Sequence, residues 1–332
     1  MEKIAFVTTE GSRKKVWNPE AEQVAAKLGL DVRYAATLEE ACHDADGIMT
    51  SWGSPCFSRA VLADFPKVRI VGHAAGSVGI ISDATTYETG VKVFSANPVM
   101  SERVAQWALM MILGHCRHLF DLAHLRKGEM ISWELSRNNP VMQSPVIGIW
   151  GLGDITKHLL KFLEPLNLGP RLVWSRHAAK GEIEALGAER AESFDELLEK
   201  SDVLLCFAGL TPETFRQLDA AHLAKLRDGS CVINAGRANL IDVIALRAEL
   251  RTGRIKAILD VFETEPVPAD SEYLTLPGLV MTPHMGAGGG TPRYASYVLT
   301  QMRRFFDGKG LEYEIDARRF ATMTDDRMAM KK

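Results

Sequence analysis

Pro145-Val146-Ile147-Gly148-Ile149-Trp150-Gly151-Leu152-Gly153-Asp154-Ile155-Thr156 is an apolar run that ends in Gly-x-Gly, and a helix-like segment, Lys157 to Leu163, follows it. The order is strand, tight turn, helix. The first N–H groups of a helix have no partner inside it and point at whatever lies beyond the end, so such a turn suits a phosphate. Gly151 permits the turn, and Gly153 lets the backbone approach a pyrophosphate. Thr156 stands where G-x-G-x-x-G has its third glycine. That glycine serves helix–strand packing, so its loss predicts a slightly wider gap and leaves the phosphate contacts in place. Taken alone the Gly-x-Gly turn is a weak signal, and its surroundings decide.

Those surroundings alternate strand and helix. Before the turn, strands are expected at Ile4–Val7, Asp31–Tyr34, Gly47–Thr50, Val68–Val71 and Val91–Ser95. Helices are expected at Glu20–Leu28, Leu38–Cys42, Ser58–Asp64 and Thr86–Thr89, the last closed by Gly90. Ser101 reads as the N-cap of a long helix from Glu102 to about Leu125. Gly128–Ser144, with Trp133, Asn138, Asn139 and Pro140, lacks periodicity and reads as an arm or linker. After the turn come strands at Arg171–Ser175, Val203–Phe207, Ser230–Asn234, Ala257–Val261 and Leu279–Thr282. Helices there are Phe194–Leu198, Ala220–Leu226, Val243–Thr252 and Thr291–Phe306. This alternation predicts two α/β domains, each a doubly wound parallel sheet. The expected division is 1–98 with 291–332 for one domain and 99–290 for a dinucleotide-binding domain inserted into it. Ala317–Lys332 is polar and is expected to be partly disordered, with packing on the surface as the alternative.

Composition sets the outer limits. The chain has 332 residues, 46% hydrophobic and 24% charged, with a net charge of −3. Such a balance carries no basic field for nucleic acid. No apolar run reaches the ~20 residues of a membrane helix. Cys42, Cys56, Cys116, Cys206 and Cys231 have no C-x-x-C spacing. They read as reduced thiols of a cytoplasmic protein without a metal site.

Three polar residues follow successive strands of the second half: Arg237, Glu265 and His284. Strand ends of a parallel sheet share one rim, so the three converge there. An arginine binds a carboxylate and polarises a carbonyl. A histidine gives or takes a proton near neutral pH, and a carboxylate orients it. In the first half, Ser51–Pro55 (with Trp52) and His73-Ala74-Ala75-Gly76-Ser77 lie at strand ends. The second loop is rich in small residues, whose N–H groups suit an anion. At the end of Arg171–Ser175 a carboxylate would accept from ribose hydroxyls. Ser175 and Arg176 stand there instead, which favours a 2′-phosphate and NADP over NAD.

With these residues in view, the sequence resembles the D-isomer-specific 2-hydroxyacid dehydrogenase family, its glyoxylate and hydroxypyruvate reductases included. The stretches are Val146–Ile155, Leu210–Thr214, Val232–Asp242, Leu259–Pro266 and Thr282–Gly286. The resemblance implies a flavodoxin-like substrate domain with an inserted cofactor domain, and a 2-oxo acid reductase using NADPH, with NAD(H) possible. It makes Arg237, Glu265 and His284 the catalytic trio, with Glu265 and not Glu263 chosen because it precedes the proline. It gives the substrate carboxylate to the N–H groups of Ala75 and Gly76. Trp52, read from its own place at the mouth of the first domain, either shapes the substrate side or packs under its loop. The cofactor residues the resemblance implies are Gly151, Leu152, Gly153, Asp154, Ile155, Ser175, Arg176, Ala235, Asp260 and Gly286, Asp260 lying near the nicotinamide carboxamide. It also implies a homodimer through the cofactor domain, formed by the long helix and the arm around Trp133.

Departures from the family pattern sit on the substrate side. Ala74-Ala75-Gly76-Ser77-Val78 replaces the common Gly-Val-Gly-x-Asp, and Ala105-Gln106-Trp107 replaces Ala-Glu-His. They leave the acid's side chain open. Formate oxidation is disfavoured by Glu265, where related formate enzymes carry Gln. Phosphite oxidation is not ruled out by the trio. A nucleotide-sensing, corepressor-like protein of the same fold, or a protein that binds NADP without turnover, are the alternatives from other classes.

Overall fold

A computed structural model describes residues 1–122, 143–288 and 292–325. By its internal contacts the chain divides into two units, 1–101 with 288–331 and 102–287.

The first unit holds a five-stranded parallel sheet. Its strands are β1 (Glu2–Val7), β2 (Leu30–Ala35), β3 (Gly47–Thr50), β4 (Ile70–His73) and β5 (Lys92–Ser95), in the order β2-β1-β3-β4-β5. The registers Ile4↔Gly47, Gly47↔Ile70 and Ile70↔Lys92 bring their carboxyl ends to one edge. This is the flavodoxin-like order expected from the sequence. Strands buried on both faces read as continuous apolar runs, and β3 and β4 are buried throughout. One face is covered by the helices Pro19–Lys27 and Pro292–Phe306, whose Tyr294, Ala295, Val298, Leu299 and Met302 pack with Ile4, Phe6, Met49 and Ile70. The opposite face packs Ala5, Ile48, Val71 and Val93 against Val78, Ile81, Tyr313 and Ile315.

The second unit holds seven strands: β6 (Ile147–Trp150), β7 (Arg171–Trp174), β8 (Glu189–Arg190), β9 (Val203–Cys206), β10 (Cys231–Asn234), β11 (Lys256–Leu259) and β12 (Leu279–Met281). Their order is β12-β11-β10-β9-β6-β7-β8. The first six, counted from β6, follow the dinucleotide-binding order, with the switch of direction between β6 and β9. The core joins Ile147, Ile149, Val203, Leu205, Ile233 and Ile258 to Leu159, Leu160 and Leu163 of the helix Asp154–Leu163.

Two local expectations are corrected, and two helices add to those expected. The long helix starts at Asn97 and runs to Cys116, so Ser101 is not its cap; the Ser101 hydroxyl bonds back to the Pro98 carbonyl at 3.3 Å. Proline lacks an N–H but is tolerated in the first turn, where that N–H has no helical partner anyway, so Asn97-Pro98 opens the helix rather than ending the preceding segment. Leu38–Cys42 is not a helix. Ala41 N–H reaches the Leu38 carbonyl at 3.1 Å and Ala45 N–H that of Cys42 at 3.0 Å, two separate turns. A helix at Glu10–Val16 had no apolar period to announce it, and Thr9 caps it by accepting from Ser12 N–H. Ala317–Thr322, the first part of a tail expected to be partly disordered or to pack on the surface, is a helix capped by Asp316. Trp133, Asn138, Asn139 and Pro140 of the expected arm, and the helix beyond Leu122, lie outside the described residues.

Candidate active site

The glycine turn follows β6. Gly151 has φ +105°, and a Cβ there would meet the Ala208 backbone at 2.7 Å, so both conformation and space demand glycine. Gly153 is the N-cap of the helix Asp154–Leu163 and makes no side-chain cap bond, and a Cβ on it would meet nothing within 4 Å. Its neighbours Leu152, Asp154 and Ile155 are half-buried. A ten-residue helix with an uncapped start and open approach fits a pyrophosphate. Thr156 is fully buried, and its hydroxyl donates to the Gly151 carbonyl at 2.8 Å. The third glycine's place is therefore filled by a side chain that braces the turn. Ser175 is half-buried and Arg176 exposed just past β7. The Glu213 carboxyl, in the loop after β9, is held below its usual value by the Thr211 hydroxyl, its own backbone N–H and, more weakly, Arg176 and His177.

On the other side of the switch, β10, β11 and β12 run parallel with Cys231↔Lys256 and Ala257↔Leu279 in register. Arg237, Glu265 and His284 follow them in turn. Asn234, buried at the end of β10, ties the first turn: its side-chain amide donates to the Arg237 carbonyl at 2.9 Å and accepts from Gly236 N–H at 3.0 Å. Half-buried Ala235 lies inside that turn. Glu265 Oε1 accepts from Phe262 N–H at 2.9 Å, and Oε2 meets His284 Nδ1 at 2.6 Å.

Burial alone would raise the Glu265 carboxyl. The bonds from His284 and Phe262 and the charges of His284 and Arg237 outweigh it and hold the group below its usual range. The bond to Glu265 raises the His284 imidazole above its ordinary value, against burial and the repulsion of Arg237. An ionised carboxylate only accepts, so Nδ1 carries the proton in the bond and Nε2 is left for other chemistry. The Arg237 charge acts on both partners, which places the three groups in one electrostatic cluster.

His284 adopts φ +50°, rare for a residue with a side chain. Asp260 holds it there. This buried residue directly follows β11, and its carboxylate accepts from the Thr282 hydroxyl at 2.5 Å, Met285 N–H at 2.8 Å and Gly286 N–H at 2.8 Å. Its carbonyl accepts from His284 N–H at 3.0 Å. Asp260, expected as a cofactor contact, is thus first a clamp on the turn that carries His284. Neither this role nor that of Asn234 was read from the sequence. A carboxylate closing an apolar strand, Leu259-Asp260, was the available signal. A hollow of about 600 Å³, lined by Phe262, Glu265, Pro266, Val267, Met281, Thr282, Pro283 and His284, lies against the pair.

The remaining expected residues belong to the first unit. Ala75 and Gly76 are buried just beyond β4. Among the described residues their N–H groups have no acceptor. Trp52 is 37% exposed; its carbonyl accepts from the Thr8 hydroxyl at 2.9 Å and its ring meets Tyr294 edge-on. No group of three or more metal-binding side chains occurs among the described residues, and none of the described helices is long and apolar enough to cross a membrane.

The chain is similar to known proteins in sequence and in fold. The family profile described as D-isomer specific 2-hydroxyacid dehydrogenase, NAD binding domain, matches residues 109–286. Glyoxylate/hydroxypyruvate reductase B of Yersinia enterocolitica is 30% identical over 272 residues, 80% of this chain and 82% of that one. D-3-phosphoglycerate dehydrogenase of Methanocaldococcus jannaschii is 29% identical over 253 residues, and the match spans only 47% of that longer protein. Among solved structures, a D-isomer specific 2-hydroxyacid dehydrogenase from Xanthobacter autotrophicus Py2, crystallised with NADPH and MES, superposes with a TM-score of 0.74 at 25% identity, covering 96% of this chain and 99% of that one.

Proposed function

Because the chain belongs to the D-isomer-specific 2-hydroxyacid dehydrogenase family, nicotinamide-dependent oxidoreductases, we propose that it reduces a 2-oxo acid to a D-2-hydroxy acid with NADPH. The observation that carries this is the His284–Glu265 bond at 2.6 Å beside Arg237. Arg237 binds the acid's carboxylate and carbonyl oxygen. His284, kept protonated by Glu265, passes its Nε2 proton to that oxygen as negative charge develops. The N–H groups of Ala75 and Gly76 bind the carboxylate, and Trp52 shapes the acid's surroundings. The bound nicotinamide supplies the hydride.

The cofactor is proposed to sit in residues 99–290 on Gly151–Ile155, Ser175, Arg176, Ala235, Asp260 and Gly286. Residues 1–98 with 291–332 are the proposed substrate domain. The preference for NADPH rests on Arg176 standing where an NAD enzyme carries an acid.

A homodimer is proposed through the helix Asn97–Cys116. Met110 is 53% exposed on a hollow shared with Leu109, Leu113 and Leu119. A cytoplasmic setting is proposed from cysteines that are all free.

The test is oxidation of NADPH and of NADH, side by side, with glyoxylate, hydroxypyruvate, pyruvate and phenylpyruvate. Faster NADPH oxidation supports both halves of the proposal. NADH preference keeps the reductase and removes the role of Arg176. Cofactor binding without turnover of any acid favours a nucleotide sensor.

A further inference from the structure

The loop after β4 is held from outside the sheet. Ser77 follows Gly76, and its hydroxyl does two things: it accepts from Gly79 N–H at 3.2 Å and donates to the Thr324 carbonyl at 3.0 Å. Thr324 comes just after the helix Ala317–Thr322, and the contact spans 247 positions of sequence. That helix is fastened by its own side chains. The Phe320 ring lies 4.9 Å from that of Tyr87, and the Arg319 guanidinium sits 3.8 Å over the Tyr313 ring. Phe320 and Met323 pack on the cluster containing Val78 and Ile81. The segment thus holds the loop through the Ser77 hydroxyl and packs on the cluster to which the next residue, Val78, belongs.

A hydroxyl with both a donor and an acceptor partner fixes a backbone more firmly than either bond alone. What it fixes are two buried N–H groups, of Ala75 and Gly76, that have no acceptor among the described residues. Such groups are costly unless a ligand meets them, and they bind an anion best when their direction is set beforehand.

We propose that Ala317–Asp325 is a positioning element for the acid: through Ser77 it aims the Ala75 and Gly76 N–H groups at the substrate carboxylate and so sets substrate affinity. The inference rests on the reading above that these N–H groups bind that carboxylate. Ser77 and the segment touch no substrate themselves.

The test uses the full chain, S77A, a chain lacking 317–332, and G76A. At Gly76 an added Cβ meets the Met100 sulfur at 2.6 Å, so either that side chain or the loop must shift. Oxalate, a non-reacting mimic of a 2-oxo acid, is titrated into NADP-loaded protein by calorimetry. The KM and kcat for glyoxylate, the Kd for NADPH and the melting temperature are measured alongside. S77A and the shortened chain are expected to weaken oxalate and raise KM by about 5–20-fold, the scale of one to two hydrogen bonds. The kcat and the NADPH Kd should stay within about twofold on that scale, whereas a purely structural segment would lower the melting temperature and leave KM alone.

Wild-type oxalate affinity in S77A, with G76A weakened, overturns the role of the segment and leaves the loop reading standing. Failure of the wild-type chain to bind oxalate overturns the loop reading and this inference with it. If the shortened chain does not fold, S77A decides.

Discussion

Glu265 and His284 hold one proton between them, and each changes the other's titration. The imidazole is raised in the folded protein, so the stability their bond contributes is complete below the ordinary histidine value and is lost as pH rises through the raised one. The carboxyl is lowered, so on the acid side that contribution fades only as pH falls through the lowered value. Reduction needs His284 protonated. The kcat/KM for the oxo acid should therefore fall on the alkaline side, and E265Q should bring that fall to lower pH. An alkaline limb that does not move in E265Q removes Glu265 from the mechanism.

H284A is expected to lower turnover by about 10²–10⁴-fold while NADPH still binds, as seen by fluorescence titration. R237K keeps the charge but loses the planar fork. It should raise the KM for the acid by about 10–100-fold, the scale of a charge-assisted hydrogen bond. The trio was legible because each residue sits directly after an apolar strand and within a distinctive flanking stretch. Asn234 and Asp260 were harder to read. Their work is done on backbone groups two to twenty-six residues away, and no local pattern announces such a partner.

At the scale of elements, the strands were the most legible feature, because a strand buried on both faces is an uninterrupted apolar run. Short helices were not. Glu10–Val16 has three basic residues and a glycine, and its helix is held by the Thr9 cap and the Glu10–Arg13 ion pair rather than by an apolar stripe. The turn after β6 was legible in its glycines, but the brace that Thr156 puts on it was not. The bond from the Thr156 hydroxyl to the Gly151 carbonyl predicts that restoring the family's third glycine does harm. T156G should lose that bond and add helix flexibility, costing about 1–2 kcal/mol of unfolding free energy in a denaturant titration. A more stable T156G would mean that the threonine is merely tolerated. G151A should keep the fold and lose cofactor binding, since its φ of +105° and the Ala208 backbone leave no room for a methyl group.

For the whole molecule, two parallel sheets were legible from the alternation of strand and helix, and their different strand orders came with the family resemblance. The way the far end of the chain serves the first sheet was only half legible. The helix Pro292–Phe306 was expected there, but the ordered Ala317–Thr322 and its hold on Ser77 depend on contacts spanning more than two hundred positions. The proposed dimer gives a test at this scale: M110E, placed on the exposed side of its helix, should yield a monomer in analytical ultracentrifugation.

The late helix also dictates an order of events while the chain is being made. Residues 102–287 contain all seven strands of the second unit and can close their core once they leave the ribosome. The first sheet emerges earlier yet must wait, because Tyr294, Val298, Leu299 and Met302 cover one of its faces. Until they emerge, Ile4, Phe6, Met49 and Ile70 have nothing over them from that helix, an interval on the order of seconds beyond residue 287 at ordinary rates of synthesis. Nascent chains arrested there should resist protease across 102–287 and be cut within 1–101, and this early-made, late-finished portion is where a trigger-type chaperone would hold the chain.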